Sequence, residues 1–347
     1  MKMQVSLPVE PPIITSWSNQ SHVFSIAQRH PGYKPWIYSH YIQLELIKGL
    51  SGKDTLLNYS HIATPQEDCP WIEISRTSVQ HIQESEGDLV SFLKESLLQG
   101  YYIYAFVDTY YIPAYPFYQQ RNAQHDALLL GFNEEQELFY MADFHQHADG
   151  ANRYGIFEVS YDQLADSILH LKEELNPLKG IELLRYRTDV AYTFDTERVK
   201  QSLSDYLEST YTPRREPTWL TTPVLAYGIA YYDHLIQHIE EIRTDSGIRD
   251  FRFFHVMGDH KLLMHQRLQY MHEIGLIRAE RAEAYEKEIL QDASILRNLL
   301  LKFGLTGNIR LLDRINLLLR KIAECEKNIL GEVLGDLKAL TPASVQA

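Results

Sequence analysis

Residues 125–144, HDALLLGFNEEQELFYMADF, leave little room for anything but a β-hairpin. Two apolar runs flank a polar stretch, Asn133 to Gln136, of the composition that turns a chain back on itself. His125 opens the first predicted strand and Asp143 closes the second. A histidine and a carboxylate on neighbouring antiparallel strands form an acid–base pair. The carboxylate fixes the imidazole tautomer, and the imidazole activates a nucleophile.

The chain around this hairpin divides in two. From Trp36 the residues Tyr38, Tyr41, Ile42, Leu44, Leu46 and Ile47 predict a short buried helix that stops near Gly49. Residues 1–35, punctuated by proline, predict an extended surface segment. Asp88 to Leu98 predicts a helix closed by Gly100, and YYIYAFVD, residues 101–108, a strand. Beyond the hairpin, Tyr154–Val159 predicts a further strand. Ser160 with Gln163 predicts a capping box, and two more strands are expected at Ile181–Arg187 and Val190–Phe194.

After Asp195 the apolar spacing becomes helical, at Thr196–Leu207, Val224–Ile242, Asp250–Ile274, Arg278–Phe303 and Asn308–Leu337. A linker bearing three prolines, residues 210–223, separates the first of these from the rest. The expected fold class is therefore α+β, with an antiparallel-sheet domain over 1–195 and a helical domain over 196–347.

Charge and composition narrow the function. The 347 residues carry 33 basic and 46 acidic side chains, a net −13, which argues against nucleic acid as a partner. Two cysteines, Cys69 and Cys325, cannot build a disulfide framework and predict a reducing, cytoplasmic setting. The N-terminal stretch has three prolines and no unbroken apolar core, which predicts neither signal peptide nor membrane span. No glycine loop of the phosphate-binding kind is present, so no nucleotide cofactor is expected.

Residues 36–165 resemble the N-terminal domain of the butirosin-type acyltransferases. These are papain-like proteins associated with antibiotic assembly lines and distantly similar to bacteriocin-processing cysteine peptidases. The resemblance is carried by Val107-Asp108-Thr109-Tyr110-Tyr111-Ile112-Pro113, by His125-Asp126 with Gly131, and by Asp143. Chains of this appearance also occur beside nonribosomal peptide synthetase genes. The helical tail here, with Phe254-His255 and Asp259-His260-Lys261, looks like theirs.

The resemblance implies a papain-like first domain and acyl transfer from a carrier-protein thioester to an amine, in antibiotic or other peptide natural-product biosynthesis. It also implies a cysteine at the front of the first helix, and this chain has none in the region Trp36–Tyr41. Ser39 is the nearest hydroxyl there. Three readings stay open. Ser39 is the nucleophile with His125 as base and Asp143 as its orienter; or the domain is a catalytically inactive binding protein that docks a carrier protein or peptide intermediate; or another residue acts. Cys69, directly before Pro70, is badly placed for a helix-start thiolate.

A reading from another class is a metal-dependent hydrolase. Asp143, His145, His147 and Asp149 alternate and would share a face if the strand continued. Against it, the residues between them offer no buried backing. Of the later histidines, His255, His260, His265 and His272 read as surface and rim residues. Arg310, Arg314 and Lys321 flank a leucine stripe and present a basic face that an acidic partner such as a carrier protein would fit.

Overall fold

A computed structural model describes residues 3–48, 55–60, 64–85, 87–147, 149–211, 223–244 and 251–340. In chain order its elements begin with β1 (Gln4–Ser6), α1 (Ser18–Ala27), α2 (Tyr33–Ser39), β2 (Leu44–Lys48) and β3 (Thr55–Tyr59). Then come α3 (Pro65–Asp68), β4 (Ile72–Thr77), α4 (Val79–Ser85), α5 (Leu89–Leu98), β5 (Tyr101–Asp108), β6 (Gln124–Asn133) and β7 (Leu138–Gln146). They are followed by β8 (Asn152–Ser160), α6 (Tyr161–Leu169), β9 (Ile181–Tyr186), α7 (Thr196–Glu208), β10 (Val224–Tyr227) and α8 (Tyr231–Thr244). The last are α9 (Arg252–Glu273), α10 (Ala279–Tyr285), α11 (Gln291–Thr306) and α12 (Arg310–Ala339), with a π turn at Glu286–Leu290 before α11. Among the described residues no helix is long and apolar enough to cross a membrane.

The fold class is α+β, and among the described residues every strand pair is antiparallel. The chain separates into two compact units, residues 1–33 with 64–191, and residues 34–63 with 192–347. The second of these units thus takes in the segment 34–63 as well as the helical stretch from 192 onward.

The first unit is built on a seven-stranded sheet in the order β4-β9-β5-β6-β7-β8, with β1 added against β6. Central β5 and β6 are buried along nearly their whole length, as aromatic and branched residues on paired strands favour. Alternate residues face opposite sides. Ile103, Val107, Leu129 and Met141 pack against Ile82, Leu93, Leu97 and Leu164 of α4, α5 and α6. On the other side α1 lies against β6 and β7.

Local signals explain the elements that sequence reading recovered. Asp88 caps α5 through the amides of Val90 and Ser91, and Gly100 takes the left-handed conformation, φ +86, past its end. Ser160 and Gln163 form the capping box of α6. Asn133 Oδ1 accepts from the amides of Glu135 and Gln136 and folds the hairpin turn. Val190–Phe194 forms no strand, contrary to expectation. The Val190 carbonyl instead accepts the Trp71 indole N–H at 2.8 Å.

Gly131 answers to packing. A Cβ there would sit 2.2 Å from the Val5 carbonyl, because β1 crosses β6 just where the β6–β7 ladder is bulged. Gly131→Ala is expected to push β1 away and cost about 1–3 kcal/mol in denaturant unfolding. A change under about 0.5 kcal/mol would show that β1 gives way freely.

In the second unit β10, β2 and β3 form a three-stranded sheet beside α2 and α7–α12. Two predicted helices are corrected here. Leu44–Lys48 is a strand, since its apolar run pairs with Thr55–Tyr59 on one side and Val224–Tyr227 on the other. Val224–Tyr227 is likewise a strand, and its helix starts only at Tyr231. Side chains of α9 tie residues 38–42 into this unit. Arg267, fully buried, donates to the carbonyls of Tyr38, His40 and Tyr41, and His260 bonds the Ile42 carbonyl. His260 and His265 are therefore buried residues, not rim histidines. Residues 212–222 of the linker and Gly49 lie outside the described residues.

Candidate active site

The loop leaving β5 brings His125 to its place. Asp108, at the strand end, accepts from the Tyr110 and Ala123 amides and from the Asn122 side chain, so one carboxylate gathers both ends of the 109–123 loop. In register, Val107 lies opposite His125, at the mouth of β6.

His125 Nε2 lies 3.2 Å from Asp143 Oδ2. The Asp143 carboxylate is fully buried; the same Oδ2 accepts the Tyr115 hydroxyl, and Oδ1 accepts the Phe144 amide at 2.6 Å. These bonds hold the carboxylate in one orientation, as a buried charge requires. The His125 side chain is 32 % exposed while that of Asp143 is not exposed at all, so the imidazole is the member of the pair a substrate can reach.

Around this pair α1 adds residues that sequence reading missed. His22 Nδ1 is 2.9 Å from the Tyr154 hydroxyl, and its Nε2 lies 3.7 Å from Asp126 Oδ2 and 4.0 Å from Asp143 Oδ1. Asp126 Oδ1 accepts the Ser18 hydroxyl at 2.6 Å and lies 3.7 Å from His125 Nδ1. Asp126 Oδ2 accepts the Tyr104 hydroxyl at 3.1 Å. Ser18 is the first residue of α1, whose preceding Trp17 offers no side-chain cap to the helix amides. One carboxylate oxygen therefore links the helix-start hydroxyl to the imidazole.

The two histidines carry different charges. Burial pushes the pKa of His22 below its ordinary value, with Asp126 and Asp143 opposing only in part, so His22 is neutral at pH 7. Burial also opposes charge on His125, but the charge and hydrogen bond of Asp143, then the charge of Asp126, outweigh it and raise the pKa to about 9. His125 is an imidazolium at neutral pH, poised to give a proton rather than to take one. Tyr115 stays protonated, its pKa raised by burial and by the Asp143 charge.

The chain matches no protein-family model and no curated protein.

Ser39 is not at a helix start. It is the last residue of α2, in the second unit, and it is fully buried. Its hydroxyl donates to the Pro35 carbonyl at 2.7 Å and accepts the Asp195 amide at 2.8 Å. Both bonds are backbone bonds, and they make Ser39 a helix-end staple rather than a nucleophile. Cys69 is buried, with its thiol pushed up to about 12 by burial, and so is unreactive at neutral pH.

The proposed four-residue metal face does not form. Asp143 is taken by His125 and Tyr115, and Asp149 is held by the Ala151 amide and Arg153. Among the described residues no group of three or more His, Cys, Asp or Glu side chains has the arrangement to hold a metal ion.

The missed helix α1 has a physical explanation. Its sequence, SNQSHVFSIA, looks polar, yet eight of its ten residues are buried. Its buried serines and histidine are satisfied close by: Ser21 donates to the Ile14 and Trp17 carbonyls, Ser25 to the His22 carbonyl, and His22 meets Tyr154. A helix buried all round with internally satisfied serines has no apolar stripe for a periodicity search to find. The usable signal was the histidine within it.

Proposed function

We propose that the first unit is an acyl-transfer site of papain-like type, in which Ser18 of α1 stands where the family has cysteine. The observation that carries this reading is the partly exposed His125 imidazole, held by a buried and triply bonded Asp143 next to a helix-start hydroxyl. The roles follow from the charges. With a thioester as acyl donor, Ser18 Oγ attacks the carbonyl carbon and its proton passes to Asp126. The C–S bond breaks, and His125 protonates the leaving sulfur. An amine then attacks the seryl ester and loses its proton to His125, while Ser18 recovers its own from Asp126.

In this reading His125 begins as general acid, and Asp143 orients it and stabilises its charge. A serine hydroxyl is a weaker nucleophile than a thiol, so slow turnover and an isolable acyl-serine intermediate are expected. The partner is a carrier protein or an equivalent thiol-bound acyl group, and the product an amide of the peptide natural-product kind.

Incubating the full chain with an acyl thioester is expected to add one acyl mass to Ser18, read by intact and peptide mass spectrometry. Ser18→Ala abolishes the adduct, and His125→Ala slows its formation at least about a hundredfold. Ser39→Ala leaves it unchanged. An adduct that persists in Ser18→Ala refutes the assignment.

One observation favours a second reading. Ser18 gives its proton to Asp126 and not to an imidazole nitrogen, which suits a pocket that binds an acyl or peptide intermediate without turning it over. Tight thioester binding, no adduct and no effect of Ser18→Ala would select that alternative.

A further inference from the structure

The four most exposed large apolar side chains among the described residues all fall within residues 301–317. Leu305 is 88 % exposed, Leu317 68 %, Leu301 58 % and Ile309 56 %. Single exposed leucines are ordinary on a protein surface, but such a concentration is not. Three of the four meet where α11 turns into α12. Gly307, with φ +63, closes α11 in the left-handed conformation, and residues 304–310 are exposed without interruption. Leu301 and Leu305 stand four residues apart on the outer face of α11, whose opposite face is buried through Leu296, Leu299, Leu300 and Phe303.

Charge supplies the second observation. Residues 293–323 hold six basic side chains, Arg297, Lys302, Arg310, Arg314, Arg320 and Lys321, against one acidic, Asp313. That is a net +5 inside a chain of net −13, so the rest of the chain is more acidic still. Asp313 is neutralised by Arg243, and Lys321 is paired with Asp292. The other basic side chains of this stretch have no carboxylate partner among the described residues.

We propose that the turn between α11 and α12 docks on an anionic lipid surface. Leu301, Leu305 and Ile309 enter the boundary between headgroups and acyl chains, and Lys302, Arg310 and Arg314 meet the phosphates above it. Aliphatic side chains inside a basic collar, on a turn exposed along its whole length, suit a yielding surface that closes around them. Contacts between proteins are enriched instead in aromatic anchors, and residues 304–317 contain none. The acidic remainder of the chain is repelled by the same surface, which turns this end toward it. Contact of this kind is peripheral and needs no helix that crosses the bilayer. It uses none of the residues of the acyl-transfer reading, and the two stand or fall separately.

The test is flotation of the full chain with phosphatidylcholine vesicles that contain ~30 % phosphatidylserine. Wild type is expected to float with them and to bind pure phosphatidylcholine at least about tenfold more weakly. Raising salt from about 0.05 to about 0.5 M is expected to weaken binding by a similar factor. Leu301→Ser/Leu305→Ser keeps every charge, and Arg310→Gln/Arg314→Gln keeps every apolar residue. Each is expected to reduce binding at least about tenfold, with thermal unfolding unchanged because the replaced side chains are exposed. A turn that docks an acidic protein instead leaves the chain unbound by vesicles, which overturns the proposal. Equal binding to both kinds of vesicle, or binding that either variant retains in full, overturns it too.

Discussion

Replacing Glu326 by alanine is expected to destabilise the second unit by about 3–5 kcal/mol, among the largest single-site losses in this chain. The Glu326 carboxylate is fully buried and accepts Lys261 Nζ at 2.7 Å on both oxygens. It also accepts the hydroxyls of Tyr206, Tyr232 and Tyr285 at 3.0, 2.9 and 2.7 Å. Removing it takes the counter-charge from a buried ammonium, which keeps contacts to the Tyr206 hydroxyl and His260 Nδ1, and takes an acceptor from three buried hydroxyls. The effect should be asymmetric. Lys261→Met leaves the carboxylate with three O–H donors and should cost less than Glu326→Ala. The double variant Lys261→Met/Glu326→Leu should recover a large part of the loss, because no unpaired charge remains. Denaturant unfolding of the three proteins gives the cycle, and a loss below about 1 kcal/mol in Glu326→Ala would contradict this account.

Asp143→Asn is the second substitution expected to have a large effect. In the wild type the raised His125 pKa, about 9 against an ordinary value near 6.5, ties its charge to stability. The sign follows from linkage. A group whose pKa is higher in the folded state stabilises fully below its unfolded pKa and loses that contribution as pH rises through the folded value. The contribution is therefore complete below about pH 6.5, declines above it and is gone past about pH 9. At 1.36 kcal/mol per pH unit it amounts to at most about 3 kcal/mol, less whatever solvent near the exposed ring screens.

With asparagine at 143 the main counter-charge is gone. The His125 pKa should fall by at least about one unit, leaving at least about half of the rings neutral at pH 8. Proton NMR of the His125 ring across pH 5–10 checks both proteins, and unfolding at pH 6 and 9 checks the linkage. A wild-type His125 that titrates near 6.5 would remove the basis for its role as acid. Acylation of Ser18 should also fall as pH rises through 9 in the wild type, because the leaving sulfur then loses its proton donor.

How much of this was legible in the residues depended on the range of the interactions. The 125–144 hairpin, the caps of α5 and α6 and the long helices after Asp195 depend on neighbours within a few positions, and the linear pattern reports such neighbours faithfully. The His125–Asp143 pair belongs to this class too, since a tight hairpin brings its two strands together with little else required. Where distant segments compete, the pattern misled. Leu44–Lys48 and Val224–Tyr227 have spacing compatible with a helix, yet the first is a strand between Thr55–Tyr59 and Val224–Tyr227, and the second pairs with it from 180 positions away. Segment 34–63 joins the second unit through Arg267 and His260, donors more than two hundred residues along the chain from the carbonyls they meet.

The candidate site divides in the same way. Its imidazole and carboxylate could be read from spacing, but Ser18, His22 and Tyr115 could not, because they reach Asp126 and Asp143 only across folded layers. Ser39 looked like a helix-start hydroxyl in one dimension and proved to be a buried end-staple in three. Local chemistry in this chain thus specified the α+β class and one pair of groups able to share a proton. Which hydroxyl faces that pair, and how much charge the imidazole carries, depended on burial and on contacts between residues remote in the chain. A sequence records such contacts only after the chain has closed around them.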